Sequence, residues 1–527
     1  MTSSATPRWV LALLAGMAAT SLFADEATPS PDAADRAATF ARRLDAALES
    51  AWEADDVTPA ERATDGAYLR RVCLDVTGRI PTAAEARDFL DDPRPSPVKR
   101  RDLVQALFRQ PAHLVHHTNI WRSILLPEAS SDLSSRQFVP EFEDWLRRRL
   151  LVGRRYDELV KEILTVPRLA MGTGEQPARP RAFFDLREDR PERLAAVTSR
   201  AFLGVRMECA QCHDHPFDDW TQEQFWQLAA FFAPPEEFDA AGNAIPSIVP
   251  TDAIADRDGE ARVSALLPNG DLPGPHADPR VPLASWVTSD ANEHFSRSIA
   301  NRLWAQFFGA GLVEPVDDLS PYNPPVYPEV LQELAAIVSD ADYDLDLVAE
   351  ALVLTRLYNA SSRVSDVSHE PSDRFARMPV RALNPEQLYD SLSQATGRLR
   401  VFNPDEPVNF NDDDDRTAFL EQFAREAVAA REQGSSILQA LMMMNGQYVA
   451  SATDLADSRT LRAVAEVPIF SDGDRIEALF LAAYARRPTQ QELDLTTAYL
   501  NSATSPREGL ADVFWSLLNS SEFLFNH

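Results

Sequence analysis

The residues with the most chemistry in this chain are Glu208-Cys209-Ala210-Gln211-Cys212-His213-Asp214-His215-Pro216-Phe217. Cys-x-x-Cys-His is the attachment pattern of c-type haem. The spacing suits that chemistry: three apart at a helix end, Cys209 and Cys212 fall on one face. Their thiols can there add to the two vinyl groups of one porphyrin. His213 stands beside the second thiol and can offer a ring nitrogen to the iron. Three other readings fit the same residues. Cys209, Cys212, His213 and His215 can hold zinc or another soft metal; the two cysteines can form a disulfide; or the stretch is a polar turn with no ligand. The second axial ligand is unassigned. No Met occurs between Met207 and Met378, so a His would complete a six-coordinate iron. His276 and His294 lie downstream, His116 and His117 upstream. Phe217, Trp220 and Trp226 are candidate walls for the haem.

Other reactive residue types read as structure. Cys73 sits in the apolar setting Arg71-Val-Cys-Leu-Asp75 and is expected as a buried, inert thiol. Asp75, Arg79, Asn301, Arg302, Asp317 and Asp318 flank apolar runs or helix ends, where ion pairs and caps explain them. Met442-Met-Met444 reads as core filling. Asp412–Asp415 reads as a solvated loop without calcium-loop spacing. There is no Gly-x-Ser-x-Gly elbow, phosphate loop or His-Glu-x-x-His. No catalytic residue is singled out, and whether the chain is an enzyme stays open.

The elements that must position the Cys-His stretch are helices. The chain has 527 residues, with Gly scarce at 18 and Pro abundant at 38. That balance favours a mostly α fold over a β-sandwich or a Gly-loop nucleotide fold. The net charge of −30 excludes nucleic acid and anionic membrane surfaces as partners. Residues 1–24 read as a secretory signal peptide: Arg8, a short apolar run from Trp9, then Ala24 before Asp25. Export, to the periplasm or beyond, and a mature chain without a transmembrane segment follow from that reading. Residues 25–33 read as a flexible lead, 34–232 as a helical domain carrying the Cys pair, 233–282 as a Pro-rich bridge with room for one short β-hairpin, and 283–527 as a second helical domain. Within them, Gly78 is expected to stop one helix and Thr82 with Glu85 to box the start of the next. Helices are expected over about 97–109, 139–150, 155–165, 190–207 (running into the Cys pair) and 221–232. Beyond the bridge they are expected over 292–308, 328–340, 344–357, 384–396, 416–431, 435–444, 473–485, 489–503 and 506–519.

Several blocks then carry a resemblance. Leu74-Asp-Val-Thr-Gly-Arg-Ile-Pro-Thr82, the Cys209–Phe217 stretch, and Gln224-Phe-Trp-Gln-Leu-Ala-Ala-Phe-Phe232 resemble the planctomycete cytochrome-c-like family. So do Pro282-Leu-Ala-Ser-Trp-Val-Thr288, Asn301-Arg-Leu-Trp-Ala-Gln-Phe-Phe-Gly309, Asn384-Pro-Glu-Gln-Leu388, Met444-Asn-Gly446 and Leu518-Asn-Ser-Ser-Glu-Phe-Leu-Phe-Asn526. The resemblance implies a helical cytochrome-like domain followed by a helical domain of unknown function. It implies haem c on Cys209 and Cys212 with His213 on the iron, and one-electron transfer with an extracytoplasmic redox partner. The alternative is an exported scaffold or a glycan- or partner-binding protein, with zinc or no cofactor at the Cys-His cluster.

Overall fold

The computed structural model describes residues 31–131, 133–168, 178–250, 262–363, 374–398, 415–420 and 453–527. The signal-peptide segment, Met442–Met444, the helix expected over 435–444, residues 421–431 of the helix expected over 416–431, and Asp412–Asp414 of the acidic run Asp412–Asp415 lie outside these residues.

The protein is mostly α-helical, with two antiparallel two-stranded pairs among the described residues. The first half holds α1 (Pro31–Ala54), α2 (Asp65–Thr77), α3 (Ala83–Asp91), α4 (Ser96–Phe108), α5 (Pro111–Leu125), α6 (Val139–Leu151), α7 (Tyr156–Leu164), α8 (Pro191–Thr198) and α9 (Gln222–Ala229). The bridge contributes β1 (Ser247–Ile248) paired with β2 (Val263–Ser264), the hairpin its sequence leaves room for. The second half holds α10 (Arg280–Val287), α11 (Glu293–Phe308), α12 (Pro328–Asp340), α13 (Leu345–Leu354), β3 (Arg381–Ala382), α14 (Pro385–Thr396), α15 (Arg459–Glu466), α16 (Asp472–Tyr484), α17 (Gln490–Ser502), α18 (Pro506–Leu518) and β4 (Phe525–Asn526), which pairs with β3.

Local chemistry accounts for many boundaries. Thr82 and Glu85 form the expected capping box, each side chain bonding the other's backbone N–H. Gly78 ends α2 at φ 71°, a left-handed conformation that a Cβ would strain. A Cβ there would also meet His116 Nδ1 at 2.6 Å. Two expectations differ from the structure. The helix into the Cys pair stops early: α8 passes into a π-turn over Ser199–Leu203 and breaks at Gly204, φ 67°, where Leu319 and Ser298 crowd the backbone. Helix α5 was not expected, because His and Thr interrupt its apolar pattern; Pro111 at its first turn starts it.

The hydrophobic core runs across the bridge and takes in its Ala265 and Leu267. One continuous core takes in Phe40, Leu44 and Leu48 of α1 together with Leu331, Leu334 and Ile337 of α12 and Val348 and Leu352 of α13. Thus the first helix is packed by the second half of the chain. A smaller core of α14–α18 includes Leu74 of α2 and Ile80. Helix α2 therefore touches both cores. Its buried Arg70 donates to the carbonyls of Ala483 (2.9 Å) and Phe523 (2.7 Å), and Arg71 donates to those of Ala360 and Tyr358.

Candidate functional site

Cys209 stands in a single 3-10 turn, Glu208–Gln211, and Cys212 closes it. In a 3-10 turn residues three apart eclipse one another, so the two cysteines share a side. Both are exposed and neither is paired. The inner side of the turn is pinned. Met207 and Ala210 are buried, and the Gln211 carbonyl accepts from Trp226 Nε1 and Gln222 Nε2, both at 3.1 Å. Asp214 Oδ1 accepts from the Gln222 N–H at 2.9 Å, and His215 N–H donates to the Trp220 carbonyl at 2.8 Å. Helix α9 is itself fixed by a capping box of Thr221 and Gln224. The sequence puts one buried small residue between two exposed thiols, so the outer side faces solvent while the inner side is anchored.

The hydrogen bonds separate the two histidines. His213 Nδ1 lies 2.7 Å from the Asp214 carbonyl. A carbonyl only accepts, so Nδ1 carries the proton and Nε2 keeps its lone pair. His215 Nδ1 accepts the Phe217 N–H at 3.2 Å, which places the proton of a neutral ring on Nε2. His213 is thus the ring with a free lone pair. Cys209, Cys212, His213 and His215 do not converge into a group that could grip one ion; among the described residues, that arrangement occurs elsewhere. Of the candidate walls, Trp226 is fully buried and edge-on to Phe225, so it is core. Phe217 is 80 % exposed and Trp220 half-buried.

The other histidines are engaged to different degrees. His276 is tied to its own loop through Nδ1 alone, which accepts the Asp278 N–H at 2.9 Å. His294 starts α11 and lies close enough to Asp218 to feel its charge, although burial first and Arg297 next lower its pKa. His116 and His117 belong to a separate cluster on α5.

That cluster is the second concentration of chemistry, and the residue spacing His113-x-x-x-His117 was its sequence signal. The i, i+4 pair lies on one face of α5 and converges on Asp346 of α13, with His113 Nε2 and His117 Nδ1 each 3.1 Å from Oδ1. His113 Nδ1 reaches the Val76 carbonyl at 2.9 Å, and Trp121 Nε1 donates to His117 Nε2 at 2.6 Å. The three ligand atoms lie within 4.8 Å of one another, which is the spacing of a metal site. The hydrogens argue otherwise. Indole nitrogen only donates, so His117 Nε2 accepts and Nδ1 carries the proton to Asp346. His113 must donate to the Val76 carbonyl, and its Nε2 faces a carboxylate, so it bonds both partners as imidazolium. Burial opposes that charge, but the hydrogen bond and attraction of Asp346 outweigh it and raise the His113 pKa. The adjacent cavity is about 10 Å³, at the lower limit for one water. His116 beside it is pulled down to about 3 by burial, with His113 and His117 adding to it, and stays neutral.

The remaining polar residues hold the fold. Asp75 is buried and accepts from Arg381 Nη2 at 2.9 and 2.8 Å, Tyr358 Oη at 2.7 Å and Asn526 Nδ2 at 2.8 Å. Arg79 pairs with Glu85. Asn301 staples Val313 and Val316, Arg302 donates to the Arg200 carbonyl, and Asp317 pairs with Arg206 and Arg200. The Asp318 carbonyl accepts from Asn323. Cys73 is buried, and burial pushes its thiol pKa up, as an inert thiol requires.

Residues 43–237 match the family described as protein of unknown function (DUF1549). Residues 279–418 and 409–500 match the family described as protein of unknown function (DUF1553). No curated protein and no solved structure matches the chain. No helix among the described residues is long and apolar enough to cross a membrane.

Proposed function

We infer that this chain, which joins a DUF1549 domain to a DUF1553 domain, carries a covalent c-type haem and passes single electrons outside the cytoplasm. The observation that carries the reading is the state of three side chains on one turn. Cys209 and Cys212 are exposed and unpaired, and His213 has its Nδ1–H committed to a backbone carbonyl with Nε2 free. A ligating imidazole is oriented in just this way by its second nitrogen. Cys209 and Cys212 would hold the porphyrin and His213 the iron, and the haem would supply a one-electron couple. This chain's own contribution is orientation and charge. The Asp214 carbonyl fixes the His213 ring, and Asp214, Asp218 and Asp219 follow the turn closely in sequence and add negative charge there. On a chain of net charge −30 that surface steers a basic redox partner. His116 and His117 are held in the α5 cluster, which leaves His276, bonded only through Nδ1, and His294 as candidate second ligands. Export rests on the signal-peptide pattern of residues 1–24.

The test is expression with a haem-attachment system, then spectroscopy and mass spectrometry of the denatured protein. The expected result is a Soret band and one haem mass on the peptide containing Cys209 and Cys212, lost in C209A/C212A. H213A should keep the thioethers and change the spectrum. A colourless protein with a Cys209–Cys212 disulfide, or with zinc, overturns the reading in favour of an exported scaffold.

A further inference from the structure

A hollow on the opposite chemistry lies beside α1. Four stretches of chain meet there: one face of α1, the connector at Arg62, the first turns of α4, and the turn after α13. They enclose about 320 Å³. Five arginines line it, Arg42, Arg62, Arg100, Arg101 and Arg356, against one carboxylate, Asp45. In a chain where 81 acidic residues outnumber 51 basic ones, this is a concentrated reversal of sign.

The arginines are not all occupied. Arg100, buried at the base, is held by Asp65, Asn359 and the Ala63 carbonyl. Arg356 pairs with Glu49, and Arg42 donates to the uncharged Thr39 hydroxyl. Arg62 and Arg101 make no side-chain hydrogen bond or ion pair among the described residues. Pro97 of the first turn of α4 lines the hollow, while Asp65 of α2 sits against that turn, accepting from Ser96 Oγ at 3.1 Å and pairing with Lys99, so the free positive charge of the hollow is that of Arg62 and Arg101. Asp45 is turned to an internal task, accepting the Arg356 backbone N–H at 2.7 Å.

We propose that this hollow binds a tetrahedral oxyanion, the phosphate or sulfate ester group of a small polar molecule. Guanidinium is the side chain suited to such groups, being permanently charged and planar with forked donors. Arginines approaching from separate elements cannot all address the two oxygens of a planar carboxylate, whereas a tetrahedral ester offers oxygens in several directions. The volume is at the small end of ligand sites, which matches a monoester of monosaccharide size. The site is independent of the haem reading.

Isothermal titration of the full purified protein at low ionic strength tests it, with inorganic phosphate, inorganic sulfate, glucose 6-phosphate and glucose 6-sulfate as probes. Saturable one-to-one binding is expected for at least one ion, tighter for its ester; the ratio between the two series tells phosphate from sulfate. R62Q/R101Q should weaken binding tenfold or more. D45N, which keeps the acceptor for Arg356 but removes the opposing charge, should tighten it several-fold. R507Q, an exposed arginine in the smaller core's region, should leave it unchanged. No binding of any probe, or equal loss in R507Q and R62Q/R101Q, overturns the proposal.

Discussion

Replacing Asp346 by Asn tests the protonation state assigned to the α5 cluster. The carboxylate takes hydrogen bonds from both His113 and His117 at 3.1 Å. A hydrogen bond to a charged group contributes about 1.5–3 kcal/mol when desolvated. The Asp346 side chain is 47 % exposed, so screening reduces this to about 1–1.5 kcal/mol. The amide keeps an acceptor for His117 Nδ1–H; what is lost is the pairing with the His113 imidazolium. Asp346 also sits in the first turn of α13, where the dipole alone makes a charge worth about 0.3–1 kcal/mol. A stability measurement therefore mixes two causes, and the discriminating assay is histidine NMR. A coupling of about 1.4 kcal/mol corresponds to a tenfold change in the His113 protonation constant. In D346N the His113 pKa should fall below the ordinary histidine value. The folded His113 pKa is raised, so the stabilisation is fully present below the unfolded value of about 6.5 and is lost as pH rises through the folded pKa. Urea unfolding of wild type and D346N should accordingly differ more at pH 6 than at pH 9. A His113 resonance that titrates identically in both proteins, with a pH-independent stability difference, refutes the assignment.

Three further outcomes are expected. Gly78→Ala should cost about 2–3 kcal/mol, from the left-handed backbone and the clash with His116; G78A/H116A should be less destabilised than the sum of the single changes by about 1 kcal/mol, and strict additivity in thermal unfolding would count against the contact. Asp75→Asn should cost about 3 kcal/mol or more, because it leaves the Arg381 guanidinium without its buried partner; hydrogen exchange should show the Phe525–Asn526 strand freed first, and unchanged protection there would contradict its role. Trp121→Phe removes the N–H that forbids a proton on His117 Nε2. In a C209A/C212A background, cobalt(II) should give a tetrahedral absorption band with W121F and none with Trp121 present; equal binding by both would sink the tautomer argument.

What was legible in the sequence was local. The Thr82–Glu85 box and the Gly78 stop depend on residues within one turn, and they stand where the pattern puts them. Helix α5 was hidden because four of its fifteen residues, His113, His116, His117 and Thr118, interrupt the apolar stripe yet are buried, His113 and His117 against Asp346 far along the chain and Thr118 by bonding back to the Leu114 carbonyl. His113 and Asp346 are 233 residues apart, a contact no spacing rule reaches. The packing of α1 on α12 and α13 was equally invisible. The early end of α8 was misread because Gly204 is fixed by Leu319 and Ser298, tertiary neighbours that the helical pattern over 190–207 does not carry.

The cysteine motif and the α5 cluster both offer imidazole as a ligand, and counting hydrogens separates their fates. In the α5 cluster every ring nitrogen of His113 and His117 already has a partner, and the partners are of the kind that fix the proton: a carbonyl, a carboxylate and an indole. An incoming cation would have to displace a proton from His113 and turn two N–H groups against each other at Trp121. That cluster therefore ties α5 to α13 instead of offering ligands. On the cysteine turn the accounting is reversed. Backbone carbonyls spend the inner groups on Trp226, Gln222 and His213 Nδ1, and the two thiols and His213 Nε2 are left over, exposed and on one short turn. Unspent ligand capacity held on an anchored turn is what the covalent haem proposed for Cys209, Cys212 and His213 would require, and the haem-attachment experiment decides whether it is used.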